Sequence, residues 1–174
     1  NNISHTNTNE RSGNARMYHI RVSSTSNNYT VGKPRIVSSD NLSILADVEH
    51  GVTDPSDANA LIVSPSFMTA SRLGFLNNTG FNFGNNERTL IIFREHCRNY
   101  VEVTADGKIY NDWRLPTAAE IGIILNLQGT GSGDDSKAID YLLNAGYYYA
   151  ANGPVANVNV TSSGYSVRCV RDAY

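Results

Sequence analysis

The chain has 174 residues, a length that suits one domain with a core that needs no metal. Charged residues make up only 17% and the formal net charge is −2, with no basic stripe to neutralise a run of phosphates, so nucleic acid is not an expected partner. No apolar run approaches the ~20 residues of a membrane span, and the polar opening "NNISHTNTNERSGN" lacks the charged flank and apolar core of a signal peptide. The chain therefore reads as a processed or excised piece of something longer.

Residues 1–15 read as a disordered lead or linker. "ARMYHIRVSS" alternates Tyr18, Ile20 and Val22 and predicts the first strand, followed by a turn at "SNN" and a short strand near "YTVGKPRIVSS". Asp47 to Asp57, "DVEHGVTDPSD", reads as a solvated acidic loop. Its carboxylates fit no EF-hand register, although calcium binding there stays open. "ANALIVSP" predicts a strand or extended segment, and "SFMTASRLGFL" a short helix, because Phe67, Ala70, Ser71 and Gly74 recur at helical spacing.

A Gly/Asn loop, "NNTGFNFGNN", leads to a helix in which Leu90, Phe93, Cys97 and Tyr100 share one face and Asn86 is a plausible N-cap. Asp106-Gly107 marks a turn. In "NDWRLPTAAEIGIIL", Thr117 and Glu120 form a capping box: each side chain is placed to bond the other residue's amide. Pro116 disfavours an earlier helical start and can staple onto Ile121. Gly122 weakens this helix unless it permits close packing. "QGTGSGDD" reads as a flexible loop without phosphate-loop spacing, and "SKAIDYLLNAG" as a further helix closed by Gly146. The remainder is strand and turn.

Cys97 and Cys169 are too far apart in sequence for zinc-ligand spacing, and both point inward on their elements. The pattern admits either two reduced core thiols or one bridge. His96 beside Cys97 is no dyad, because adjacent helix residues do not face each other. The four histidines are scattered, and no metal-ligand pair or nucleophile motif is visible. Five N-x-[ST] sequons in a chain this rich in Asn, Ser and Thr carry little information.

Taken together, "HCRNYVEV", "DGKIYNDWRLPTAAEI" and "GYSVRCVRD" resemble the C-terminal module of large secreted surface proteins of Bacteroidetes-type bacteria, fimbrial tip and adhesin-like proteins among them. That module resembles the C-type-lectin-like fold as elaborated in the formylglycine-generating-enzyme group. The resemblance spans about residues 59 to 172. It implies an α+β, C-type-lectin-like fold with a short twisted antiparallel sheet, two or three helices and long loops, as one domain over 16–174. It also implies a disulfide between Cys97 and Cys169 and a structural anchor role for Trp113, with Thr117 and Glu120 capping the helix behind it.

No enzyme activity is implied, since the oxidase group needs a pair of late cysteines and only Cys169 lies late in this chain. Calcium-lectin ligand motifs are likewise absent, so neither metal nor cofactor is expected. The implied function is a non-catalytic ligand-binding, adhesin-like module on an extracellular bacterial surface or fimbrium. Its expected partners are a host or bacterial surface glycan or protein and other fimbrial or surface subunits. A structural or assembly subunit is the alternative. The candidate contact surface lies in "GYYYAANGPVANVNVTSSGY", where Tyr147, Tyr148, Tyr149, Asn152, Asn157, Asn159, Thr161 and Tyr165 offer the aromatic and amide chemistry of adaptable binding surfaces. The competing reading of the tyrosines is strand core.

Overall fold

The computed structural model describes residues 2–7, 16–36, 51–71, 74–77, 87–128, 147–156 and 165–173. Strands β1 (Asn2–Asn7), β2 (Arg16–Arg21) and β3 (Thr30–Val31) precede the short helix α1 (Asp57–Ala60) and strands β4 (Ile62–Val63), β5 (Ser66–Thr69) and β6 (Phe75–Asn77). Helix α2 (Glu87–Asn99), the hairpin β7 (Glu102–Val103) and β8 (Ile109–Tyr110), and helix α3 (Ala118–Leu127) follow. Strands β9 (Tyr147–Ala150), β10 (Gly153–Ala156), β11 (Tyr165–Arg168) and β12 (Val170–Asp172) complete the order. The fold is α+β, as expected. Among the described residues no helix is long and apolar enough to cross a membrane.

Two four-stranded sheets dominate, in the orders β1-β2-β5-β12 and β10-β9-β11-β6. The first is antiparallel throughout, and in the second only the β11–β9 pair is parallel. β11 and β12 are separated by Cys169 alone, so the chain changes sheets at that residue. There a disulfide joins it to Cys97 of α2, with the Cα atoms 5.5 Å apart. Closing a loop of this length contributes about 4 kcal/mol in the chain-entropy model.

Each sheet divides two apolar clusters, because successive strand side chains point to opposite faces. Tyr18, Ile20 and Phe67 meet Ile121 and Ile124 of α3 in one. Met17 and Met68 join Phe93, Cys97, Trp113 and Cys169 in the other. This two-sided burial corrects the helix expected over "SFMTASRLGFL". Phe67, Met68 and Thr69 are all buried, with β5 paired to β2 on one side and β12 on the other. A strand covered on both faces loses its period-two signature, and the helical spacing of Phe67 and Ala70 was coincidental.

Two further expectations change. Asn2–Asn7, placed in a disordered lead, pairs with β2 along its whole length. In the acidic loop, Asp54 is not solvated: it is buried, accepts from the Ser56 amide at 2.9 Å and pairs with Arg35 at 3.0 Å. Asp47, Glu49 and His50 lie outside the described residues, as do Asn86, the "QGTGSGDD" loop and the helix expected over "SKAIDYLLNAG". Gly51, within the same acidic segment, has φ +82°, and a Cβ there would lie 2.6 Å from the Trp113 carbonyl oxygen and 2.8 Å from Arg98 Cα. Only glycine fits that approach.

Helix α3 starts where the sequence places it. Thr117 Oγ1 accepts from the Glu120 amide at 3.1 Å, and Glu120 Oε1 accepts from the Thr117 amide at 2.9 Å. Gly122 serves no close packing among the described residues: a Cβ there would have nothing within 4 Å. Gly122→Ala is therefore expected to stabilise the protein by about 1 kcal/mol, read as a rise in the urea midpoint at unchanged slope. A lowered midpoint would show that the glycine answers to a contact the helix does not display.

Candidate functional site

The tyrosine-rich stretch is split by its own strand geometry. Tyr148 and Tyr149 on β9 are 3% and 1% exposed, each on a different face and in a different core cluster. The Tyr149 ring meets Phe93 edge-on at 5.0 Å and Tyr165 at 5.5 Å. This removes Tyr148 and Tyr149 from the candidate ligand surface, since neither ring reaches solvent. Tyr165 is half-buried, and Asn152 is exposed in the turn joining β9 to β10. Tyr147 lies on β9 by its backbone. Asn157, Asn159 and Thr161 lie outside the described residues.

The helix start expected to be scaffold is built around a residue the sequence reading passed over. Trp113 is fully buried and donates from Nε1 to the Tyr110 carbonyl at 3.1 Å. The next residue, Arg114, is 2% exposed. Its Nη1 and Nη2 donate to Glu120 Oε1 and Oε2 at 2.7 and 2.9 Å, and Nη2 also reaches Asp172 Oδ1 at 2.8 Å. Burial works against the charge of this guanidinium, but Glu120 and then Asp172 outweigh it and raise its pKa. The sequence signal was available: an arginine six residues before a capping glutamate that has no other cation nearby.

On the opposite face of β12 lies a cleft of about 550 Å³, within the usual range of small-molecule sites. Lys108, Tyr110 and Asp112 form one wall, and His19, Met68 and Arg171 also line the cleft. The wall is set by the β7–β8 hairpin. Its turn uses the Asp106-Gly107 pair the sequence singled out, with Gly107 at φ +87° and Thr104 hydrogen-bonded to Asp106. After the turn the whole run from Lys108 to Asp112 lines the cleft. Asp112 holds Arg171 in a bidentate pair, Nη2 to Oδ2 at 2.9 Å, and the Arg171 guanidinium carbon sits 4.4 Å from the Tyr110 ring centre. Lys108 Nζ lies 5.2 Å from the same ring.

His19, on the cleft wall, makes a contact with Ser66, Nε2 to Oγ at 2.6 Å, which resembles the start of a nucleophilic dyad. The order of donors rules that out. Arg21 can only donate, and its Nη2 lies 3.1 Å from His19 Nδ1, so Nδ1 accepts and Nε2 carries the proton. Nε2 then donates to Ser66, whose hydroxyl donates onward to the Ala173 carbonyl at 3.4 Å. No ring nitrogen is free to take a proton from Ser66. Among the described residues no group of three or more His, Cys, Asp or Glu side chains is placed to hold a metal ion.

The chain resembles a fimbrial tip subunit. It is 34% identical over 149 residues to two sequences of the major fimbrium tip subunit FimD of Porphyromonas gingivalis, a match covering 70% of this chain. It spans 21% of the length of those curated relatives. No protein-family model matches the chain, and no solved structure matches it. Neither Arg114 nor the cleft was singled out from the sequence. Only the run from Lys108 to Asp112 is contiguous in sequence; the rest of the cleft's lining comes from β1, β2, β5 and the stretch from Arg171 to Ala173.

The hydrogen-bond order around His19 has a titration consequence. Burial, then Arg21, then Arg171 push its pKa below the ordinary 6.5. The unfolded ring takes a proton near 6.5 while the folded ring does not, so this residue's contribution to stability is complete above that pH. It is lost as pH falls from 6.5 through the folded value. Ring-proton NMR is expected to give a midpoint below 6.5 for His19, and a midpoint above it would overturn the assigned tautomer and field.

Proposed function

We propose that the chain is a non-catalytic binding module of a fimbrial tip-type surface protein, displayed outside the bacterial cell. The observation that carries this is the 34% identity to the major fimbrium tip subunit over most of the chain. Three structural features support it. The disulfide suits an oxidising, extracellular setting. The Ser66–His19 contact is ordered against nucleophilic use. The cleft presents polar and aromatic groups on a rigid hairpin, as binding surfaces commonly do.

The bridge from a helix to the last strands and the antiparallel sheet that gathers β12 beside β5 support a C-type-lectin-like arrangement over 16–174. Ligands of this reading are a glycan or protein of a host or bacterial surface, and assembly partners are other fimbrial subunits. The exposed Asn152 turn remains part of the proposed surface, with Tyr165 at its edge. Burial of Tyr148 and Tyr149 favours the second reading for that stretch, a scaffold or assembly subunit without its own ligand there.

Beads carrying the chain fused to an inert carrier are expected to hold host cells or bacteria above the level of carrier beads, with or without EDTA. Adhesion no greater than the carrier's would remove the ligand-binding reading and leave the assembly role. Adhesion abolished by EDTA would remove the metal-free mechanism.

A further inference from the structure

The cleft beside the β7–β8 hairpin carries two cations whose bonding is incomplete in a way that points to a ligand. Arg171 commits Nε and Nη2 to Asp112, but its Nη1 points at the Met68 thioether sulfur at 3.3 Å. A thioether is a weak acceptor, so a charged N–H is left facing the cleft with a poor partner. Lys108 is exposed, lies against the Tyr110 ring, and makes no ion pair among the described residues. Both cations border one cavity and lie near the Tyr110 ring. Arg21 and Arg171 both act on His19, which lines the same cavity, to lower its pKa.

The rest of the lining narrows the ligand further. The Thr6 hydroxyl and the exposed Asn111 lie on the same cavity as Asp112. Each Asp112 oxygen accepts one bond from Arg171, which leaves lone pairs for further donors. A carboxylate in the wall repels a second acid and attracts hydroxyl groups. Tyr110 and the 63% exposed Ile109 add apolar surface of the kind a pyranose ring covers with its C–H face. One anionic group with several hydroxyls fits these constraints, and a polyanionic peptide does not.

We infer that this cleft binds an acidic saccharide, a hexuronic or sialic acid residue, with its carboxylate between Lys108 Nζ and Arg171 Nη1, its hydroxyls toward Asp112, Asn111 and Thr6, and its ring against Tyr110. The inference rests on the binding-module reading and names the ligand class of that module. It places the site on a different part of the chain from the tyrosine stretch and needs no metal.

The test is a heteronuclear NMR titration of the whole chain with glucuronate and N-acetylneuraminate, and with glucose, acetate and a tetra-glutamate peptide as comparators. At least one acidic sugar is expected to shift the amides of 108–112 and Arg171, and to bind at least about tenfold more tightly than glucose, acetate or the peptide, the margin expected for one added charge-assisted hydrogen bond. Lys108→Met should weaken that binding about tenfold, and Lys108→Arg should stay within about threefold of the parent, since the charge is kept. Glucose binding as tightly as the acidic sugars, or acetate or peptide matching them, would overturn the assignment. So would equal binding by Lys108→Met. If neither acidic sugar binds while beads carrying the chain still adhere to cells, this inference alone falls. If adhesion is also absent, the binding-module reading falls with it.

Discussion

The structure turns on one buried carboxylate. Glu120 is fully buried and its two oxygens accept four hydrogen bonds: from the Thr117 amide, from Nη1 and Nη2 of Arg114, and from the Ser64 amide at 3.1 Å. A capping residue thus becomes the counter-ion for a buried guanidinium and the acceptor for the loop between β4 and β5. Desolvating two charges costs several kcal/mol, and only this complete satisfaction of donors and acceptors offsets it. Such a pair contributes little net stability over an apolar substitute, yet it fixes one arrangement of three segments, because no alternative packing leaves those groups paired.

The backbone around Arg114 is committed in the same way. Its amide and carbonyl bond Val170 at 2.8 and 3.0 Å, Thr53 Oγ1 donates to the Leu115 carbonyl at 2.8 Å, and the Ala151 amide donates to the Pro116 carbonyl at 3.1 Å. Three residues with no helix or strand of their own, Arg114 to Pro116, are therefore the junction at which the acidic segment, the turn after β9 and β12 meet. Two ion pairs tie the same stretches together: Arg114 reaches Asp172 in the buried interior, and Asp112, two residues earlier, reaches the neighbouring Arg171 at the cleft. The pair that builds the core and the pair that lines the cleft are successive rungs between the same two stretches of chain. The cleft is thus tied to the core beneath it through Arg171 and Asp112.

Local chemistry made part of this legible. The capping box, the hairpin turn at Asp106-Gly107, the face shared by Phe93 and Cys97 on α2, and the alternation of β2 are each decided within a few residues, and each stands where periodicity and turn chemistry place it. β5 was misread because burial on both faces erases periodicity, and Gly51 was passed over because the groups it accommodates, Trp113 and Arg98, lie far along the chain. Tyr148 and Tyr149 looked like contact residues because a tyrosine run has the same composition in a core as on a surface, and only the pairing of β9 between β10 and β11 decides between them. The cleft was hidden for a related reason. Its lining comes from five separate segments, with the ion-paired Asp112 and Arg171 on two of them, and pairing across segments leaves no trace in spacing.

The Cys97–Cys169 bridge also changes how the molecule responds to tension. With a sequence separation of 72, the bond forms a covalent short circuit around everything between the two cysteines. A pull applied to the chain before Cys97 and after Cys169 travels through α2 and the sulfur atoms, and never loads the β7–β8 hairpin, α3 or β9 along their backbones. Those elements can be peeled away as a body but cannot be drawn out into extended chain while the bond is intact. Asp112 and Glu120 lie inside the shielded loop, whereas Arg171 and Asp172 lie just outside it. Under load, the two rungs that join the loop to the final strand are the ionic contacts between the shielded chain and the stretch after Cys169.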